Sequence, residues 1–198
     1  MGKGRLEAFS DAVIAIIITI MVLEMKVQHG DDFATLKPLL PVFMSYILSF
    51  IYIGIYWNNH HHLMHVTHKI NGKVMWANSH LLFWLSLMPF ASGWMGENHF
   101  ATLPTALFGV ILLMAGVAYY ILAQCLIRLH GKDSTLGKAV GNDRKGIISV
   151  VIYAAAIGLS LLNPWISVGL YGVVAIIWLV PDRRIELKLM EEEKKLAD

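Results

Sequence analysis

Arg5 and Asp11 stand at the entrance of an apolar run, Ala12 to Leu23, and ionisable groups at the edge of hydrocarbon are costly enough to mark a functional site by default. Six helical residues turn through about 600°. The two side chains therefore point away from each other, and each needs a partner on another element or at the surface. Candidate partners cluster in two places. Trp57, Asn58, Asn59, His60, His61, His62 and His65 close a second apolar segment, and Trp76, Asn78, Ser79 and His80 open a third. A polar network joining three helices at that end would satisfy all of these groups in a low-dielectric setting. The simpler alternative leaves Arg5 among lipid headgroups and Asp11 protonated. The histidines also suggest a metal, because His61, His65 and His68 fall at i, i+4 and i+7 and neutral imidazole ligates zinc or copper. No cysteine or placed carboxylate accompanies them, so interfacial polar histidines are the preferred reading and no metal or other cofactor is expected. Phosphate-binding loops, nucleophile elbows and the T-V-G-Y-G potassium filter are absent from the sequence, so nothing in it advertises catalysis.

The element that carries Arg5 and Asp11 must be a membrane helix. Of the 198 residues, 57% are hydrophobic and 15% charged, and mean hydropathy is +0.59; soluble domains carry about 25% charged residues. A soluble enzyme is excluded on this composition. Cys125 is the single cysteine, which rules out a disulfide framework or a cysteine metal cluster. The N-terminal run is expected to be retained, since it has too few positive charges and too long an apolar run for a cleavable signal peptide, and no small-residue cleavage site follows it. The net charge of +2 fits anchoring to an anionic leaflet, and no nucleic-acid partner is implied.

Six apolar segments approach the ~20 residues needed to span a bilayer: Phe9 to Met25, Leu39 to Tyr56, Trp76 to Trp94, Leu103 to Leu126, Ile147 to Leu162 and Trp165 to Val180. Lys3, Arg5, Lys69, Lys73, Arg128, Lys132, Lys138, Arg144, Lys145 and the basic residues after Asp182 then share one side, against Lys26 and Lys37 on the other. The positive-inside rule places both termini in the cytoplasm. Tyr56, Trp57, Trp76, Trp94, Trp165 and Trp178 near the segment ends fit interfacial aromatic belts. The expected fold is an all-α integral membrane protein, with residues 1–181 as one six-helix transmembrane domain and 182–198 as a charged cytoplasmic tail. Along the first helix, Ile16, Ile20 and Leu23 form one stripe. In an apolar helix such a stripe has the ordinary explanation of packing or lipid contact, and Thr19 that of bonding its own backbone.

Arg5-x-x-x-Phe9-Ser10-Asp11, Tyr56-Trp57-Asn58-Asn59-His60-His61-His62-Leu63 and Trp76-Ala77-Asn78 followed by Leu87-Met88-Pro89-Phe90 resemble the transmembrane protein 175 family of endosomal and lysosomal potassium channels and their bacterial homologues. The likeness runs from Arg5 to Glu97. It implies a cation channel lined by the first helix of each repeat, with Ile16 at the apolar constriction, Ile20 and Leu23 as further rings, and Thr19 as a polar position one turn along. A single-repeat chain resembles the bacterial members. That implies a homotetramer in the bacterial inner membrane, with potassium as the permeant ion. The resemblance further implies that Arg5, Phe9, Ser10, Asp11, Trp57, Asn59, His60, His61, Trp76 and Asn78 tie the first three helices together rather than touch the ion. Ser79 and His80 depart from the leucines usual in the family, which leaves room for a pH-responsive feature.

A narrow apolar ring cannot replace an ion's hydration shell, so selectivity would follow dehydration cost and modestly favour potassium. The competing class is a proton-coupled secondary transporter using Asp11 and His80 as a relay. Inverted repeats and midplane helix breaks, the usual marks of such transporters, are not visible in the sequence. A third class, a membrane enzyme holding a metal on its histidines, would require bound metal.

Overall fold

A computed structural model of the chain describes residues 2–26, 29–131, 134, 136–137 and 144–179. The tail at 182–198 and the basic residues Lys132 and Lys138 lie outside them. The described residues form α1 (Lys3–Leu23), a short α2 (Phe33–Leu36) running through a 3-10 turn into α3 (Leu40–His65), then α4 (Gly72–Ser86), α5 (Met88–Glu97), α6 (Thr102–His130), α7 (Arg144–Leu159) and α8 (Pro164–Leu179). No strand occurs among them.

Hydropathy located the spans but not the helix ends. The first helix begins at Lys3, ahead of the expected Phe9; α3 continues from Tyr56 through the polar run to His65, and α6 continues from Leu126 to His130. Apolarity marks where lipid ends, whereas a helix continues while its own backbone bonds are its best partners. Segments Lys3–Leu23, Phe33–His65 and Thr102–His130 are long and apolar enough to cross a membrane. The third expected span is instead two helices, broken at Leu87. Pro89 has no N–H for the Leu85 carbonyl, and its ring crowds that turn. The last two helices have 16 residues each, about 24 Å at 1.5 Å per residue; they match the expected segments in length and begin slightly earlier, at Arg144 and Pro164.

Helix α1 packs on α3, α4 and α5; α6 packs on α4, α5, α7 and α8; and α3 also meets α5 and α8. Without a hydrophobic drive between helices in lipid, close approach and interhelical hydrogen bonds hold such a bundle. Two glycines permit the tightest contacts. A Cβ at Gly96 would lie 2.6 Å from both Val42 Cα and Ser45 Oγ, so α5 rides directly on the α3 backbone. A Cβ at Gly109 would overlap the Tyr171 hydroxyl, which donates to the Thr105 carbonyl at 3.1 Å. The buried tyrosines form the rest of this seam. Tyr52 donates to the Tyr171 carbonyl at 2.6 Å, and the Tyr52 ring lies 6.5 Å from Phe108 and 6.3 Å from Tyr153. Where α5 turns into α6, His99 and Phe100 have positive φ of 50° and 58°. The Phe100 N–H reaches Met95 O at 2.9 Å and its ring sits 4.8 Å from Trp165, contacts that offset the left-handed conformation.

Candidate functional site: the first helix and its polar anchor

Helix α1 has two faces. Leu6, Ser10, Ile14, Ile17 and Met21 recur every three or four residues and are buried, forming the stripe that seats the helix on its neighbours. The other face is left uncovered. Ile16 is 56% exposed, Ile20 41% and Leu23 76%, and Arg5, Ala12 and Thr19 are exposed with them. Taken at about 100° per residue, Arg5, Ala12, Ile16 and Leu23 fall within about 40° of one another. A large aliphatic row is therefore presented outward by the subunit, in line with a cation at the helix start. The Thr19 hydroxyl donates to its own Ile16 carbonyl at 2.8 Å.

Rotation of α1 is fixed by a directed chain of hydrogen bonds through three helices. His60 Nε2 lies 2.8 Å from Asn78 Oδ1, the Asn78 amide donates to Ser10 Oγ at 2.9 Å, and Ser10 Oγ donates to the Leu6 carbonyl at 2.8 Å. Because the Asn78 amide nitrogen is used on Ser10, its oxygen must accept, and the imidazole is assigned as the Nε2–H tautomer. Ser10, His60 and Asn78 are all buried. Each donor in the chain meets an acceptor, as a buried network requires. A second, outer link joins Trp57 Nε1, donating at 3.1 Å, to Asp11 Oδ1. The Trp57 ring stacks on His61 at 6.0 Å and His61 on His65 at 6.3 Å. Lys3, 3.9 Å from Glu7, reaches the His65 carbonyl at 3.4 Å.

Of the ten residues expected to tie the helices together, Ser10, Asp11, Trp57, His60 and Asn78 are brought into direct contact. Asn59 takes a different part: its side-chain amide donates to the Ile55 carbonyl one turn back, and its backbone carbonyl accepts from the Tyr119 hydroxyl at 3.2 Å. Arg5 and Phe9 lie on the uncovered face of α1, and Trp76 is 79% exposed. None of these three has a hydrogen-bond partner among the described side chains. His61 stacks with Trp57 and His65 and meets the His62 ring edge-on. The expected relay pair is not joined either. His80 Nε2 accepts from Trp84 Nε1 at 2.9 Å one turn along its own helix, whereas Asp11 is taken by Trp57. Among the described residues no group of three histidines, cysteines or carboxylates could hold a metal. Sequence reasoning missed His130, whose Nε2 accepts the backbone N–H of both His68 and Lys69 at 3.1 Å, tying the α3–α4 connection to the end of α6. A lone histidine at a helix end carries no periodic signal. Tyr52 and Tyr171 were legible in principle, since a hydroxyl within an apolar span needs a partner.

A groove of about 520 Å³ runs beside α1, with Ile16 and Ile20 on one wall and Pro89, Phe90 and Trp94 on the other. It follows the break between α4 and α5.

Residues 5–89 match the family described as the endosomal/lysosomal potassium channel TMEM175. A potassium channel of Chryseobacterium sp. (strain P1-3) is 55% identical over 191 residues, which is 96% of this chain and 100% of that one. The endosomal/lysosomal proton channel TMEM175 of Danio rerio is 30% identical over 132 residues, 64% of this chain but 24% of the fish protein. The crystal structure of a lysosomal potassium-selective channel TMEM175 homolog from Chamaesiphon minutus superposes with a TM-score of 0.76 at 26% identity, covering 91% of this chain and 97% of that one.

Proposed function

Because this chain belongs to the TMEM175 family, we propose that it forms a potassium-preferring cation channel whose pore is bounded by α1 of several identical subunits. The observation that carries this reading is the division of α1. A buried polar chain holds one face, and the opposite face leaves Ile16, Ile20 and Leu23 largely or partly exposed within the subunit. In a lone membrane helix that arrangement would serve lipid, but the Arg5 that shares the stripe argues for an aqueous path at its end.

Geometry supports four subunits. Packed helices lie about 8–10 Å apart, so a square of four places each axis about 6–7 Å from the centre. Side chains reach about 5–6 Å from their helix axis, which leaves an opening with a radius under about 2 Å at Ile16. Three helices would close it, and four is the smallest ring that leaves a passage. Such a ring empties of water when narrow and passes partly dehydrated ions when slightly wider, favouring potassium over the more tightly hydrated sodium. The lysine and arginine distribution supports a cytoplasmic side for both termini, with the bacterial inner membrane as the proposed host. No catalytic step is assigned.

The test is flux from potassium-loaded liposomes containing the purified protein, with valinomycin as positive control. Ile16→Asn is expected to raise flux and reduce the preference for potassium over sodium. A current unchanged in size and selectivity would remove Ile16 from the pore. A proton-coupled transporter would instead show flux locked to a proton gradient.

A further inference from the structure

We propose that a cavity between α3, α6 and α7, lined by none of the residues of α1, is a site for one acyl chain of an anionic phospholipid drawn laterally from the bilayer. The cavity holds about 400 Å³, within the roughly 300–1,000 Å³ of ligand pockets. Its deep end is Tyr52, and its other end is marked by Asn59, Gln124 and Gly146. From Tyr52 to Asn59 is about 10 Å of helix, and from Gly116 to Gln124 on α6 about 12 Å. That is most of the ~15 Å of hydrocarbon in a single leaflet. The residues at the opening, Tyr120, Ile147 and Val151, are 54%, 67% and 63% exposed. Tyr120 lies on α6, long and apolar enough to cross a membrane, and Ile147 and Val151 on the apolar helix α7 beside it, so the entrance opens toward lipid tails.

The two ends differ in the way an amphiphile requires. The wall is mainly apolar, whereas the Asn59–Gln124 end carries amide groups. Just beyond it the Lys145 ammonium lies 6.0 Å over the ring of Trp178, a lining residue whose indole donates to Ser149 at 2.8 Å. Arg128, one turn past Gln124 on the same face of α6, is exposed. Among the described residues no carboxylate lines the cavity. A phosphate at headgroup depth therefore meets cationic side chains while its chain occupies the apolar wall. Gly116 lines the cavity, and a Cβ there would meet the Tyr56 hydroxyl of α3 at 3.7 Å, an ordinary contact, so a methyl fits and a leucine is expected to take up cavity volume.

The assembled protein, delipidated in mild detergent and offered equimolar dioleoyl phosphatidylglycerol and phosphatidylcholine, is examined by native mass spectrometry. The wild type is expected to retain phosphatidylglycerol in preference to phosphatidylcholine. Gly116→Ala should keep it and Gly116→Leu should lose it, at unchanged oligomeric mass. Lys145→Gln should reduce the headgroup preference about fivefold, as one lysine near an anionic surface supports. Should Gly116→Leu fail to assemble, Ile147→Trp at the opening serves as the blocking variant. Equal retention by blocked and wild-type protein overturns the proposal, as does retention of both lipids alike or of neither. Conduction is not a readout here, so this test can fail without touching the pore assignment, and the reverse.

Discussion

Removal of the Asn78 side chain should unlock α1. Asn78→Ala deletes two buried contacts, to His60 at 2.8 Å and to Ser10 at 2.9 Å. The imidazole N–H then lacks an acceptor, which costs about 1–3 kcal/mol, and the interhelical bond to Ser10 is worth about 0.6 kcal/mol, reaching about 1.7 in membrane proteins. The total is about 2–5 kcal/mol. Ser10→Ala leaves the Asn78 amide unpaired but spares His60, so it should cost about 1–2 kcal/mol by the same reasoning. In the double variant the shared bond is lost once, and the cycle should return a coupling of about 0.6–1.7 kcal/mol. Detergent-driven unfolding of the purified protein, followed by loss of helicity across a titration of dodecyl sulfate in mixed micelles, measures all three variants. A coupling below about 0.3 kcal/mol, within ordinary additivity, would refute the directed chain from His60 through Asn78 to Ser10. The same variants carry a functional reading. If the chain sets which side of α1 faces the pore, Asn78→Ala should also erode ion preference while Ile16 itself is intact.

Four further outcomes follow from the same geometry. Gly109→Ala should lower thermal stability by about 1–3 kcal/mol through overpacking, because the new methyl displaces the Tyr171 hydroxyl from Thr105; a melting point equal to the wild type would show that the seam relaxes freely. Gly96→Ala should push α5 off the α3 backbone and reduce the yield of folded protein by size-exclusion chromatography, an effect Gly54→Ala should not share, since no atom lies within 4 Å of a Cβ there. His80→Leu should leave the reversal potential unchanged across a pH gradient, because His80 is engaged with Trp84 and not with Asp11; a lost proton dependence would revive the relay. Arg5→Ala should leave unfolding of the subunit within about 0.5 kcal/mol of wild type, as for a surface position, yet alter the single-channel current. A drop in subunit stability instead would place Arg5 in the interhelical network.

The sequence by itself determined that this is a membrane-embedded, all-helical chain, because hydrocarbon admits only helices and closed barrels, and long unbroken apolar runs mark helices where barrel strands would alternate. It also singled out α1 and the two polar clusters that meet it, since Ser10, His60 and Asn78 are expensive in a low-dielectric interior and can be kept only with partners. Tertiary structure alone decided which members of those clusters pair. Asn59 and Asn78 are the same residue type in the two polar clusters, on α3 and α4, but Asn78 is aimed at Ser10 while Asn59 turns back to Ile55. Helical rotation fixes that choice, and in a helix apolar on every side no periodicity reports it. The break at Leu87 and the cavity at Gly116 belong to the same class. Each depends on how far apart neighbouring backbones come to rest, a distance set by the packing of several helices at once and written in no single one of them.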